Sequence, residues 1–255
     1  MMNQKKQFRI KLSPWLLLIL IPFISVGIFI GWAETPLSPM PFALKALQST
    51  DQVQVDTNPW LTFTPDGFSP TTGLIVYPGG RVDARAYAPA AQAIATQGYL
   101  VVIVPMPLNL AVFSPGAAAK VIVTHPEIKQ WAIGGHSLGG AMAANFIRKN
   151  PGLIQGLFLW ASYPAASDNL ASYDIQVTSI YGTQDGVANP AKIGASRLLL
   201  PTDTIWVAIP GGNHAQFGWY GIQPGDNLAA ISREQQQTQV VSATINLLQK
   251  IGDSP

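Results

Sequence analysis

The sequence predicts an α/β fold, a mostly parallel, doubly wound sheet preceded by an N-terminal transmembrane helix. Three observations carry that prediction. From Gly73 onward short apolar runs alternate with helical segments; an apolar strand turns abruptly into a helix around Gly135-His136-Ser137-Leu138-Gly139; and the run from Leu12 to Ala33 holds no charged residue. Near-continuous apolar strands separated by helices mark a sheet buried on both faces, in which ligands sit beyond the carboxyl ends of the strands.

Taken in order, residues 1–11 form a basic tail that carries Lys5, Lys6, Arg9 and Lys11. Residues 12–33 are long enough as a helix to cross a hydrocarbon core of roughly 30 Å, with Trp15 and Trp32 near the ends where interfacial aromatics sit. The basic flank predicts a cytoplasmic tail, an uncleaved signal anchor and an extracytoplasmic domain. Secretion after cleavage near Gly31-Trp32-Ala33 is the alternative. Residues 34–50 begin with ETPLSPMPF and read as a proline-rich, extended linker. The domain is expected over 51–255. Gln52 to Asp56 and Trp60 to Thr64 suit an antiparallel pair at the sheet edge. Strands are then expected at 73–77, 100–104, 131–134, 156–160, 177–181 and 204–209. Helices are expected near 84–96, 116–123, 140–149, 190–199 and 233–250. Ser232 with Gln235 three residues on forms a capping box for the last helix.

Composition narrows the function classes. The 255 residues are 48% hydrophobic and 11% charged, which suits one large buried domain. Without the four basic residues of the tail, 11 basic residues face 13 acidic ones, so no basic surface for nucleic acid is expected. The absence of cysteine excludes disulfides, thiolate metal sites and a cysteine nucleophile. The isolated histidines fit no metal-binding spacing, and Gly79-Gly80 lacks the G-K-S/T continuation of a phosphate loop.

The chemistry is expected at Ser137. In a G-x-S-x-G turn between strand and helix the glycines allow close backbone approach, and the serine is held at a helix N-terminus. A serine hydroxyl needs a base. His214, in the loop after strand 204–209, is the choice. His125 precedes its strand, and His136 points elsewhere as a direct neighbour of Ser137. Asp185, after strand 177–181, is the acid expected to orient His214, ahead of Asp174, Asp203 and Asp226. The Leu138 amide and that of Gly80 or Arg81, in the loop Pro78-Gly79-Gly80-Arg81, are the expected oxyanion donors. Two roles stay open for the Arg81 side chain, binding a substrate carboxylate or standing solvated. The stretch from Ala161 to Gln176 is too short for a cap, so the site should be open. Tyr163, Phe217 and Trp219 are its expected substrate-binding walls, with ordinary packing as the alternative for each ring.

LIVYPGGRVDARAYAPAAQAIATQGYLVVIVP, GGHSLGG, SIYGTQDG and GGNHAQFG together resemble the α/β hydrolase superfamily, in particular its compact, lidless, dienelactone-hydrolase-like members. The resemblance spans about Gly73 to Lys250. It implies a cofactor-free serine hydrolase that forms an acyl-enzyme on Ser137, with a small-molecule ester or related acyl compound as substrate. Ser137 stands where dienelactone hydrolases proper have cysteine, which favours a serine esterase. An amidase, thioesterase or acyltransferase on the same residues, or a silent membrane-tethered binding module, are the alternatives.

Overall fold

The computed structural model describes residues 14–253, and of residues 14–17 and 19 the backbone only. Eight strands form one sheet in the order β1-β2-β4-β3-β5-β6-β7-β8. They are β1 (Val53–Asp56), β2 (Leu61–Pro65), β3 (Thr72–Tyr77), β4 (Leu100–Ile103), β5 (Gln130–His136), β6 (Gly156–Trp160), β7 (Gln176–Gly182) and β8 (Ile205–Ile209). β1 and β2 are antiparallel, and β2 runs antiparallel to β4; every other pair is parallel. The expected edge hairpin and parallel body are therefore both present. β3, β4 and β6 are buried at every position, as strands covered on both faces must be.

The helices are α1 (Pro14–Ala33), α2 (Pro41–Lys45), α3 (Ala88–Ala95), α4 (Ala118–Thr124), α5 (Leu138–Lys149), α6 (Pro190–Ala195) and α7 (Arg233–Gly252). Two expected helices are shorter than their sequence windows. Residues 84–87 form a 3-10 turn, and Pro89, unable to donate an N–H, sits in the first turn of α3. Likewise 196–199 continue α6 as a 3-10 turn. The α7 capping box is formed by both of its hydrogen bonds.

Two apolar layers flank the sheet. One joins α3 and α7 to Leu74, Val76, Phe158 and Trp160; the other joins α4 and α5 to Ile75, Tyr77, Ile133 and Leu159. The alternation along β3 is what puts neighbouring residues in different layers. Tyr77, the last residue of β3, reaches across: its hydroxyl donates to the Pro115 carbonyl and accepts from the Ala118 N–H, fixing the start of α4.

The structure departs from expectation before residue 51. The expected basic tail, 1–11, lies outside the described residues, and the expected span, 12–33, lies partly so. Among the described residues no helix is long and apolar enough to cross a membrane. The expected extended linker is ordered against the domain: Leu37 bridges Val82 in parallel, and α2 follows with Pro41 in its first turn. Ala43 and Ala46 are buried. A run such as PFALK carries a good helix start, and burial of two alanines holds it there.

Candidate active site

The site lies at the carboxyl edge of the parallel strands. β5 ends in His136, and the chain reverses at Ser137 into α5. Ser137 has φ 52° and ψ −120°, a conformation that non-glycine residues rarely adopt. Its geometry explains the flanking glycines. A Cβ on Gly135 or on Gly139 would collide with the Tyr77 carbonyl, so the elbow can lie against β3 only with glycine at both places. The strained serine is held through its backbone: its N–H donates to the Trp160 carbonyl at 2.9 Å, and its carbonyl accepts from Ser162 Oγ at 2.6 Å and from the Ala141 N–H at 3.2 Å. Four further non-glycine residues with positive φ, Arg81, Leu108, Asn109 and Ala161, follow β3, β4 or β6 at the same edge.

The loops after β7 and β8 meet at His214. Its Nδ1 lies 2.8 Å from Asp185 Oδ2, and both side chains are fully buried. The other oxygen of Asp185 accepts the N–H groups of Val187 and Ala188, at 2.8 and 2.7 Å, which fixes the carboxylate plane. His214 Nε2 is buried and has no hydrogen-bond partner. No bond to Ser137 Oγ is made, although the ring of the adjacent residue, His136, lies 4.4 Å from that of His214.

Side chains from α7 and from the segment before it hold the His214 loop. Gln236 on α7 accepts from the Asn213 N–H and donates to the Asn213 carbonyl. Arg233 donates to the carbonyls of Ala215, Gly218 and Gly221. Asp226, a rival acid, accepts from the N–H groups of Ala215, Gly186 and Asn227, so it braces both loops rather than the imidazole. The other rivals, Asp174 and Asp203, precede β7 and β8. His125 is bonded to Glu127 at 3.1 Å in the turn before β5.

Of the expected oxyanion donors, the Arg81 N–H is taken by the Asn109 carbonyl at 2.8 Å. The Gly80 and Leu138 N–H groups make no hydrogen bond among the described residues. They are also neighbours, since a Cβ on Gly80 would touch the Leu138 side chain. The Arg81 side chain is half-buried. It donates to the carbonyls of Trp32 and Thr35 and stacks on the Trp32 ring, 4.2 Å from its centroid.

Phe217 and Trp219 are packed into the fold, the alternative the sequence left open for each ring. Phe217 is fully buried and stacked on His136, its centroid 5.8 Å away. Trp219 packs on Phe42 at 4.3 Å and lines a groove of about 720 Å³ between α2, α3 and α7, to which none of Ser137, Asp185, His214, Gly80 or Leu138 contributes. Large rings gain most by burial, and each finds a ring to pack on, Phe217 at the end of β5 and Trp219 on α2. Tyr163 is half-buried against the α3/α7 layer, directly after Ser162. The connection from β6 to β7 carries no helix or strand.

Sequence reasoning missed Tyr87. Its hydroxyl accepts from the Gly79 N–H and lies 2.9 Å from His136 Nδ1, so one buried phenol ties the Gly79-Gly80 loop to the elbow. Burial keeps that phenol neutral by pushing its pKa up. Only the tertiary fold brings Tyr87 there, 49 residues before His136. Burial, and then the neighbouring His214 ring, hold the His136 imidazole well below its ordinary pKa. The sign follows: the unfolded chain binds a proton below about 6.5 that folded His136 refuses. Stability should therefore fall as pH drops below that value, by at most about 1.4 kcal/mol per unit from this group. Urea unfolding at pH 7 and pH 5 should show the loss, and His136→Asn should reduce it. Among the described residues no group of three or more histidine or acidic side chains is placed to hold a metal ion.

The model of the alpha/beta hydrolase family matches residues 73–238. Among solved structures, a predicted CIB-like hydrolase from Thermoplasma acidophilum is similar at 14% identity and a TM-score of 0.55, over 76% of this chain and 99% of that one. Est1E from Butyrivibrio proteoclasticus is similar at 11% identity and a TM-score of 0.58, over 80% of this chain and all of that one. No curated protein matches. At these identities the two structures speak for the fold, while the family match covers the elbow, the Asp185 loop and the His214 loop, and on it the chain belongs to the alpha/beta hydrolase family.

Proposed function

We propose that this protein is a serine hydrolase that cleaves carboxylic esters through Ser137, His214 and Asp185. The observation that carries the reading is the buried Asp185–His214 pair, which leaves His214 Nε2 unpartnered beside the elbow. A buried polar nitrogen without a partner is costly, and a base awaiting a serine proton accounts for it. In the reaction Ser137 Oγ bonds to the acyl carbon as its proton passes to His214 Nε2. The Leu138 and Gly80 amides take the oxyanion. Collapse breaks the ester C–O bond, the imidazolium returns its proton to the departing alcohol, and water repeats the sequence on the acyl-enzyme. The uncharged sequence 12–33 and its basic flank support a membrane tether, with the catalytic domain on the far side from the tail.

The test is labelling by a fluorophosphonate, followed by rates on an ester, a thioester and an amide of one acyl group. Labelling with the ester fastest is the expected result. A folded protein that neither labels nor turns over any of the three would leave a binding module of hydrolase fold.

A further inference from the structure

The end of α1 is bolted to the oxyanion loop. Arg81 caps α1 and the turn after it through the Trp32 and Thr35 carbonyls. Asn109 Nδ2 donates to the Ala33 carbonyl at 3.0 Å, while the Asn109 carbonyl holds the Arg81 N–H. Leu37 then donates to the Arg81 carbonyl, and Asp83 to the Leu37 carbonyl. Carbonyls at a helix end need such donors, and a cation there suits the helix dipole. With Arg81 next to Gly80, these bonds fix how the candidate site is oriented relative to α1.

The surface of α1 is apolar on all sides. Leu18, Ile21, Phe23, Ile24, Val26 and Ile28 are all exposed. At 100° per residue they point around the whole helix, so no single protein groove could cover them. The segment after β4 continues this surface. Phe113, 51% exposed, meets Phe29 edge to face at 6.2 Å, and Val112 beside it is 45% exposed. Phe29 lies about one turn inside the end of α1, so Phe113 shares the level of an apolar helix turn and not that of Glu34. From there the chain leads back to Leu110, which faces Gly80.

We infer that Val112 and Phe113 are seated in the surface of a lipid bilayer beside α1, with the mouth of the site opening at that surface, so that the substrates are amphiphilic esters supplied from the membrane. The substrate class rests on the serine-hydrolase reading; the seating does not. Its occupant is the bilayer because the exposed apolar surface is continuous from α1 to Val112 and Phe113 and surrounds the helix.

The chain has no cysteine, so a single introduced one can be labelled alone. The full chain, as Phe113→Cys or Leu153→Cys, is spin-labelled and placed in phosphatidylcholine vesicles. Leu153 is exposed in the turn before β6, at the opposite edge of the sheet. The label at 113 should relax more with oxygen than with a water-soluble nickel chelate, and the label at 153 the reverse. If both labels favour the chelate, or the chain does not enter the vesicles, the seating is overturned. Separately, Val112→Glu/Phe113→Glu should slow turnover of a long-chain ester held in vesicles by about tenfold and leave a short, water-soluble ester unchanged, because glutamate is expelled from the apolar interface. Equal rates on the vesicle ester overturn the substrate class. A membrane-seated label at 113 with no labelling of Ser137 would instead remove the hydrolase reading and leave the seating intact.

Discussion

Replacing Ser137 by alanine should abolish ester turnover, by a factor on the order of 10⁶, and remove fluorophosphonate labelling. The size follows from the chemistry. Without Oγ no acyl-enzyme can form, and the amides of Gly80 and Leu138 are left to assist only direct attack by water. Stability should change little, within about 0.5 kcal/mol, because the Ser137 side chain makes no capping bond to α5. The elbow is held by the Ser137 backbone, which donates to Trp160 and accepts from Ser162, and alanine keeps both bonds. Thermal unfolding beside the kinetic assay separates the two effects. Full activity in a folded Ser137→Ala protein would end the assignment, and loss of the fold would place the role of Ser137 in structure.

The second large effect is expected at Asp185→Asn. The native carboxylate accepts two backbone N–H groups on Oδ1 and faces His214 Nδ1 with Oδ2. An asparagine keeps the backbone bonds only by turning its oxygen toward Val187 and Ala188, which presents its NH₂ to His214. Nδ1 must then be the acceptor, the proton moves to Nε2, and the imidazole can no longer take one from Ser137. The loss in kcat should be about 10⁴-fold, with KM for a short ester little changed. Asp226→Asn is the control. Asp226 braces the same loops through backbone N–H groups only, so its variant should lose stability more than it loses kcat. If the two variants behave alike, Asp185 is a loop brace and not the partner of the base.

Local pattern alone determined a good deal of this protein. Period and composition placed the eight strands, because a parallel strand buried on both faces has to be an apolar run bounded by turns and a half-buried edge strand an alternating one. The elbow was legible because its glycines answer a steric demand, the approach of β5 and α5 to the Tyr77 carbonyl. The order Ser137, Asp185, His214 was legible because each residue follows its own strand, which brings them to one edge of a parallel sheet.

Tertiary structure decided what depends on contacts between distant segments. Arg81 could be called solvated or substrate-binding from its own loop; Trp32 on α1 and Thr35 in the turn after it, 49 and 46 residues away, made it a helix cap. That left Gly80, and not Arg81, with the free amide. Tyr87 stood in an ordinary helical window, and only the closing of the fold around the 3-10 turn before α3 turned its hydroxyl into the bridge between Gly79 and His136. Phe217 and Trp219 follow His214 in the chain yet serve the interior, because hydrophobicity says that a ring will be buried and not against what. Sequence patterns record the periodicity and sterics of neighbouring residues, whereas hydrogen-bond partners and ring contacts across the sheet exist only once the chain has closed on itself.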